Sequence, residues 1–184
     1  MKSGAADEWL ARPLDAYRAE PGAAIVDLLL CEAHQQQKLL QDGQADVALL
    51  HSPFDSTAGL DTETLYTEGQ VAVLPTSHPL ADRSRIRMAE VTALLELPMA
   101  RWPGPGGGYP EGPGPEVRNL TQLFQLIALG RTTAIMPASV GAELRRDLTA
   151  VPVLDAPPVT TVIAWPTQSR LRAVADLVHL ATRR

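Results

Sequence analysis

Two histidines stand just beyond apolar runs: His34 after residues 24–31 (AIVDLLLC) and His51 after residues 45–50 (ADVALL). Imidazole donates hydrogen bonds to an anion and titrates near neutrality, so this residue type at strand ends suits an acidic or pH-sensitive ligand. The plainer alternative is that both histidines cap solvent-exposed loops, and the sequence leaves the two readings open. Cys31, Glu32, His34 and His51 are residue types that bind zinc or copper. Their spacing matches no local ligand motif, and neighbours at a strand end point in differing directions. Adjacent His51-Ser52 does not by itself orient a base on a nucleophile, and no Gly-x-Ser-x-Gly elbow occurs. The glycines at 104–108 carry no following Lys-Ser/Thr, so they form no phosphate-binding loop of that kind. Trp102 beside them serves either to stack on a ligand or to pack. No enzymatic activity, cofactor or metal is expected.

The elements that position these residues follow from periodicity. Residues 8–18 form an apolar stripe at helical spacing, stopped by Pro21-Gly22, with Pro13 expected to kink the helix or begin a second. Residues 24–31 and 45–50 are short, apolar and rich in Ile, Val and Leu, as buried strands are. Between them 34–41 predicts a short helix, leucines inward and glutamines outward, closed by Asp42-Gly43. Residues 65–74 read as one long strand interrupted near Glu68-Gly69, which suits a crossing between lobes. A short helix over 88–95 and a short strand over 98–101 lead into 102–115 (WPGPGGGYPEGPGP), an irregular loop that is either a lid or plainly variable.

Further on, 121–129 predicts an apolar helix with Asn119 or Thr121 as N-cap, ended by Gly130. A strand over 133–136, a helix over 137–146 and strands over 148–154 and 160–165 follow, with Pro157-Pro158 a second candidate crossing. The last helix, 169–183, sets Leu171, Val174, Val178 and Ala181 on one face. Helices alternating with apolar strands predict an α/β fold with a mainly parallel sheet.

Composition narrows the function. Hydrophobic residues make up 45% of 184, enough for a core, but aromatics are only 4%, so Leu, Val, Ala and Ile must build it. The formal net charge of −5 argues against a nucleic-acid surface, whose affinity comes largely from neutralising phosphates. One cysteine permits neither an intrachain disulfide nor a thiolate cage. No run approaches the ~20 apolar residues of a membrane span, and no secretory signal opens the chain. A cytoplasmic protein with no membrane association is expected.

Three segments carry a more specific signal: residues 42–48 (DGQADVA), with Gly43 and Asp46; residues 71–81 (VAVLPTSHPLA), ending in His78-Pro79-Leu80-Ala81; and residues 126–137 (LIALGRTTAIMP). In this order and spacing they resemble the effector-binding domain of LysR-type transcriptional regulators, over most of the chain. The resemblance implies two Rossmann-like α/β lobes joined by two crossing strands, a type 2 periplasmic-binding-protein-like fold. Lobe I would comprise 1–68 with 158–184 and lobe II 69–157, with a small, anionic effector between them. By the same resemblance the effector-lining loops supply Ser3, Gly4, His34, His51, Ser52, Trp102, Pro103 and Thr121. Small hydroxyl residues often bind carboxylates at these places in the family. It further implies a homodimer or higher homo-oligomer through helices 8–18 and 137–146. DNA would be reached only through an N-terminal winged helix-turn-helix missing from this sequence.

The sequence departs from the family in two respects. Only Met1-Lys2 precede Ser3, where the family has a short apolar central strand, so that strand is expected to be missing or abbreviated. Gly130-Arg131-Thr132 puts threonine where a second glycine is usual. A competing reading is a solute-binding protein of a transport system.

Overall fold

A computed structural model describes residues 6–32, 34–104 and 107–183. Ser3 and Gly4 lie outside the described residues. The chain divides into two compact units, Met1–Thr67 with Thr160–Arg184, and Glu68–Val159.

The first unit contains helix α1 (Ala6–Arg18), helix α2 (Gln36–Gln41), strands β1 (Ala48–Ser52) and β2 (Leu60–Glu68), and after the second unit β6 (Val159–Pro166) and α5 (Arg172–Thr182). The sheet order is β1-β6-β2. β1 and β6 are antiparallel, with Ala48 opposite Ala164 and Ser52 opposite Thr160. Successive side chains of a strand point to opposite faces, and the two faces have separate cores. Leu49, Leu65 and Ile163 pack against Val174, Val178 and Ala181 of α5. Leu50, Val162 and Ala164 pack against Leu40 of α2. Covered on both sides, β6 is buried at Val159 and from Thr161 to Ala164, whereas edge strand β2 buries only Leu65. Helix α1 lies along α5, and the buried Tyr17 hydroxyl accepts a hydrogen bond from Ala24 N–H at 3.1 Å.

The second unit is built on β3 (Gln70–Pro75), buried at every residue, flanked by β4 (Ala134–Pro137) and β5 (Leu148–Val153) in the order β4-β3-β5. Val71 and Val73 meet Leu123 and Ile127 of α4 (Leu120–Ala128). Ala72 and Leu74 meet Ile86, Leu97 and Val91, the last from α3 (Met88–Thr92). Full burial of such a side chain is worth about 1.5–3 kcal/mol, so these two clusters hold the unit together. Asn119 Oδ1 caps α4 by accepting from Gln122 N–H at 2.9 Å. Gly130, at φ +66, ends the helix in the left-handed conformation that glycine adopts without cost. Thr132, in the place of a usual glycine, is fully buried and donates its hydroxyl to Pro98 O at 2.6 Å.

Several expectations are corrected. Residues 24–31 are not assigned as a strand, and Ile25 is 94% exposed. Apolar composition marks a segment that favours extension and burial, but a strand exists only where a ladder partner is supplied. The described strand pairs β1–β6, β3–β4 and β3–β5 are antiparallel, not parallel. A run apolar on both faces reports double-sided burial, not direction. Residues 98–101 contribute only isolated parallel bridges, Met99 to Thr133 and Arg101 to Glu116. The expected helix over 137–146 is a 3-10 turn, Ala138–Glu143, with helix-weakening Gly141 inside it. Pro13 lies inside one helix and begins no second. Gln36 points inward and Leu171 outward, the reverse of both expectations.

Candidate functional site: the strand-end corner of the first unit

β1 finishes in His51-Ser52, and the chain turns back through Pro53-Phe54-Asp55. The turn is closed by His51 O, which accepts from Phe54 N–H and Asp55 N–H, both at 2.8 Å. Asp55 folds its carboxylate back over the strand end, where Oδ2 accepts from His51 N–H at 2.9 Å. Its other oxygen, Oδ1, lies 3.1 Å from His34 Nδ1, with the Asp55 side chain only 3% exposed. His34 occupies this place by adopting φ +63, a left-handed conformation unusual for a residue with a Cβ. The two histidines are therefore joined through Asp55, a residue that spacing and type did not single out. An acidic residue closing a turn just past a strand end, as in HSPFD, was the available signal.

This geometry limits what His34 can offer a ligand. The Asp55 carboxylate engages His34 Nδ1 and the His51 backbone N–H, so His34 would meet a ligand through Nε2. Across the ladder His51 faces Thr161 and Ser52 faces Thr160. Directly opposed residues share one sheet face, which puts the Thr161 side chain beside that of His51. Thr161 is 1% exposed, and its hydroxyl has no hydrogen-bond partner among the described residues. The Thr160 and Thr67 hydroxyls are 2.8 Å apart. Ser52 and Thr160, one register position on, face the opposite side of the sheet from His51 and Thr161; the hydroxyl of Thr161 beside His51 can hydrogen-bond a polar ligand. Thr160 and Thr161 were missed because in sequence they look like ordinary strand residues.

In the second unit, Trp102 and Pro103 are partly buried, and Trp102 packs on the core cluster that contains Leu123 and Ile127. Leu120, the first residue of α4, packs on the same cluster, and exposed Thr121 follows it in the first helical turn. Asn119, not Thr121, is the N-cap. Arg101 organises the glycine- and proline-rich loop: Nε donates to Gly114 O at 2.6 Å, Nη1 to Pro110 O at 2.8 Å and Nη2 to Glu116 Oε1 at 3.2 Å. Arginine's planar fork suits three such acceptors at once. Among the described residues no group of three His, Cys, Asp or Glu is arranged to hold a metal ion, and no helix is long and apolar enough to cross a membrane.

The structure of a C-terminal domain of a probable LysR family transcriptional regulator from Rhodococcus sp. RHA1 is similar at a TM-score of 0.69 and 20% identity, covering 93% of this chain and 90% of that one. Oxidized Corynebacterium glutamicum OxyR is similar at 0.73 and 18% identity, over 98% of this chain and 61% of that one. Full-length CbnR complexed with its target DNA is similar at 0.73 and 19% identity, over 98% and 65%. This chain thus spans less than two thirds of those two longer regulators, and at such identities the likeness speaks for the fold. That fold is the type 2 periplasmic-binding-protein-like α/β fold. No curated protein sequence matches the chain. The LysR substrate binding domain model matches residues 1–184, and the chain belongs to that family of ligand-sensing regulatory domains.

Proposed function

We propose that this chain is the sensing part of a cytoplasmic LysR-type transcriptional regulator and that it recognises a small, anionic effector. The observation that carries the site assignment is the strand-end corner of the first unit. There the buried Thr161 hydroxyl, without a hydrogen-bond partner among the described residues, stands beside His51, one residue along the strand from Ser52, and Asp55 ties His34 to the His51 backbone. Ser3, Gly4, Trp102, Pro103 and Thr121 belong to the proposed set through the family resemblance alone. The first turn of α4 contributes backbone N–H groups and the positive end of the helix dipole, which favours a carboxylate without a buried lysine or arginine. The effector shifts the regulator between states by binding one of them more tightly. A homodimer carries that shift to DNA-binding segments outside these 184 residues, and the net charge of −5 supports DNA contact lying elsewhere.

A thermal-shift screen of small carboxylates finds the effector, and titration calorimetry on variants tests the site. Ser52→Ala, Thr161→Val and Thr121→Ala are each expected to weaken binding about tenfold, the effect of one lost hydrogen bond, with the fold intact. Parent-like affinity in all three would overturn the assignment.

A further inference from the structure

A groove of about 380 Å³ runs along α5 in the first unit, beside β6 and the edge strand β2. Glu63 of β2, Trp165 of β6 and His179 of α5 are among its walls. Trp165 is half-buried, packing on the cluster that contains Leu65 and Ile163 while still lining the groove. Glu63 is exposed and has no salt-bridge partner among the described residues. The described lining holds this one carboxylate and no lysine or arginine, and His179 is its other ionisable group. A carboxylate next to an indole suits a guanidinium, which stacks on the ring and keeps its charge. Asp61, two residues earlier in β2, is exposed and projects to the same side, about 7 Å from Glu63 along the strand.

The second unit carries the matching cations. Ile86 is 1% exposed and bridges Val153 of β5, its N–H donating to Pro152 O at 2.8 Å. With that side chain inward, the flanking Arg85 and Arg87 project outward, and both are exposed. Their spacing along the extended chain is again about 7 Å. Arg83 lies 3.8 Å from Glu90, but Arg85 and Arg87 have no salt-bridge partner among the described residues. Two copies with a net charge of −5 repel one another, so association requires a local meeting of opposite charges. We propose that the groove beside α5 of one copy of this chain receives Arg85 and Arg87 of a second copy. One guanidinium stacks on Trp165 and pairs with Glu63, and the other pairs with Asp61. Exposed ion pairs alone contribute little, so the half-buried indole is what makes the seat specific. The contact uses no residue of the effector corner and does not depend on that reading.

The test follows self-association of the whole 184-residue chain by sedimentation velocity at low salt. Two paired reversals, Arg85→Glu with Arg87→Glu and Asp61→Arg with Glu63→Arg, are each expected to weaken association about tenfold or more. All four positions are exposed, so the variants keep the fold, which circular dichroism checks. The second pair brings the net charge closer to zero, so weaker association there is not general repulsion. Combining all four reversals, or mixing the two paired variants, restores opposite charges and is expected to return association to near the parent level. Trp165→Leu should weaken association with every charge kept. The proposal is overturned if the parent stays monomeric at low salt, or if either paired reversal associates like the parent. It is equally overturned if the fourfold variant associates no better than the paired ones.

Discussion

His34 Nδ1 lies 3.1 Å from Asp55 Oδ1 in a corner where the carboxylate is 3% exposed, and this pair ties the segment before α2 to the end of β1. Removing the carboxylate strands both the imidazole and the His51 N–H that the other oxygen accepts. We predict that Asp55→Ala destabilises the chain by about 2–4 kcal/mol, while Asp55→Asn, which keeps an acceptor, costs about half as much. Urea unfolding of the three proteins checks this. Equal midpoints for Ala and Asn would show that the acceptor role is not what matters.

His34 itself sits at φ +63. Any Cβ is strained there, and the pair with Asp55 offsets that strain. Once the imidazole is gone, the backbone conformation alone decides. His34→Gly is therefore expected to be more stable than His34→Ala by about 1 kcal/mol, the reverse of the ranking inside a helix. Thermal melts of the two variants suffice, and an alanine variant at least as stable as the glycine one would contradict the assigned conformation.

Much of the scaffold could be read from periodicity, because burial on one face leaves a spacing. Val174, Val178 and Ala181 are buried on α5, β3 is buried throughout, and the break between β2 and β3 falls at Gly69, where a polar, glycine-bearing interruption stood in the sequence. Gly130 stops α4 for the reason its type suggests. What could not be read depends on long-range meetings. Asp55 matters because a loop well before it in the chain delivers His34 to it, and Thr161 because β6 returns beside β1. The inward turn of Gln36 has the same origin. A residue's type gives its appetite for burial or pairing, but tertiary structure decides whether a partner arrives.

Arg101 gives the third prediction. Its guanidinium holds Pro110, Gly114 and Glu116 from the glycine- and proline-rich loop. Arg101→Ala is expected to raise proteolytic cleavage and amide exchange within 107–116 several-fold, with a stability loss of about 1–2 kcal/mol. Arg101→Lys should resemble alanine rather than the parent, because an ammonium cannot reach the separate acceptors in one plane. Parent-like protection in the lysine variant would mean that charge, not fork geometry, orders the loop.

The last prediction concerns Gly114, where two chain segments approach too closely for any side chain. A Cβ placed there would overlap the Met99 carbonyl oxygen, and both are backbone-held: Arg101 N–H donates to Pro115 O and Val117 N–H to Arg101 O, at 2.9 and 3.0 Å. Neither side can yield without breaking this short parallel contact, so Gly114→Ala should cost about 2–3 kcal/mol. For a domain of this size that lowers the melting temperature by about 4–12 °C. Gly69 is the control: it also lies between strands, yet a Cβ there meets nothing within 4 Å and its φ is not positive. Gly69→Ala should change stability by no more than about 0.5 kcal/mol. Calorimetric melts of the two variants side by side decide the matter, since coincident transitions would mean that the 99–101 and 114–117 segments are not in close contact in solution.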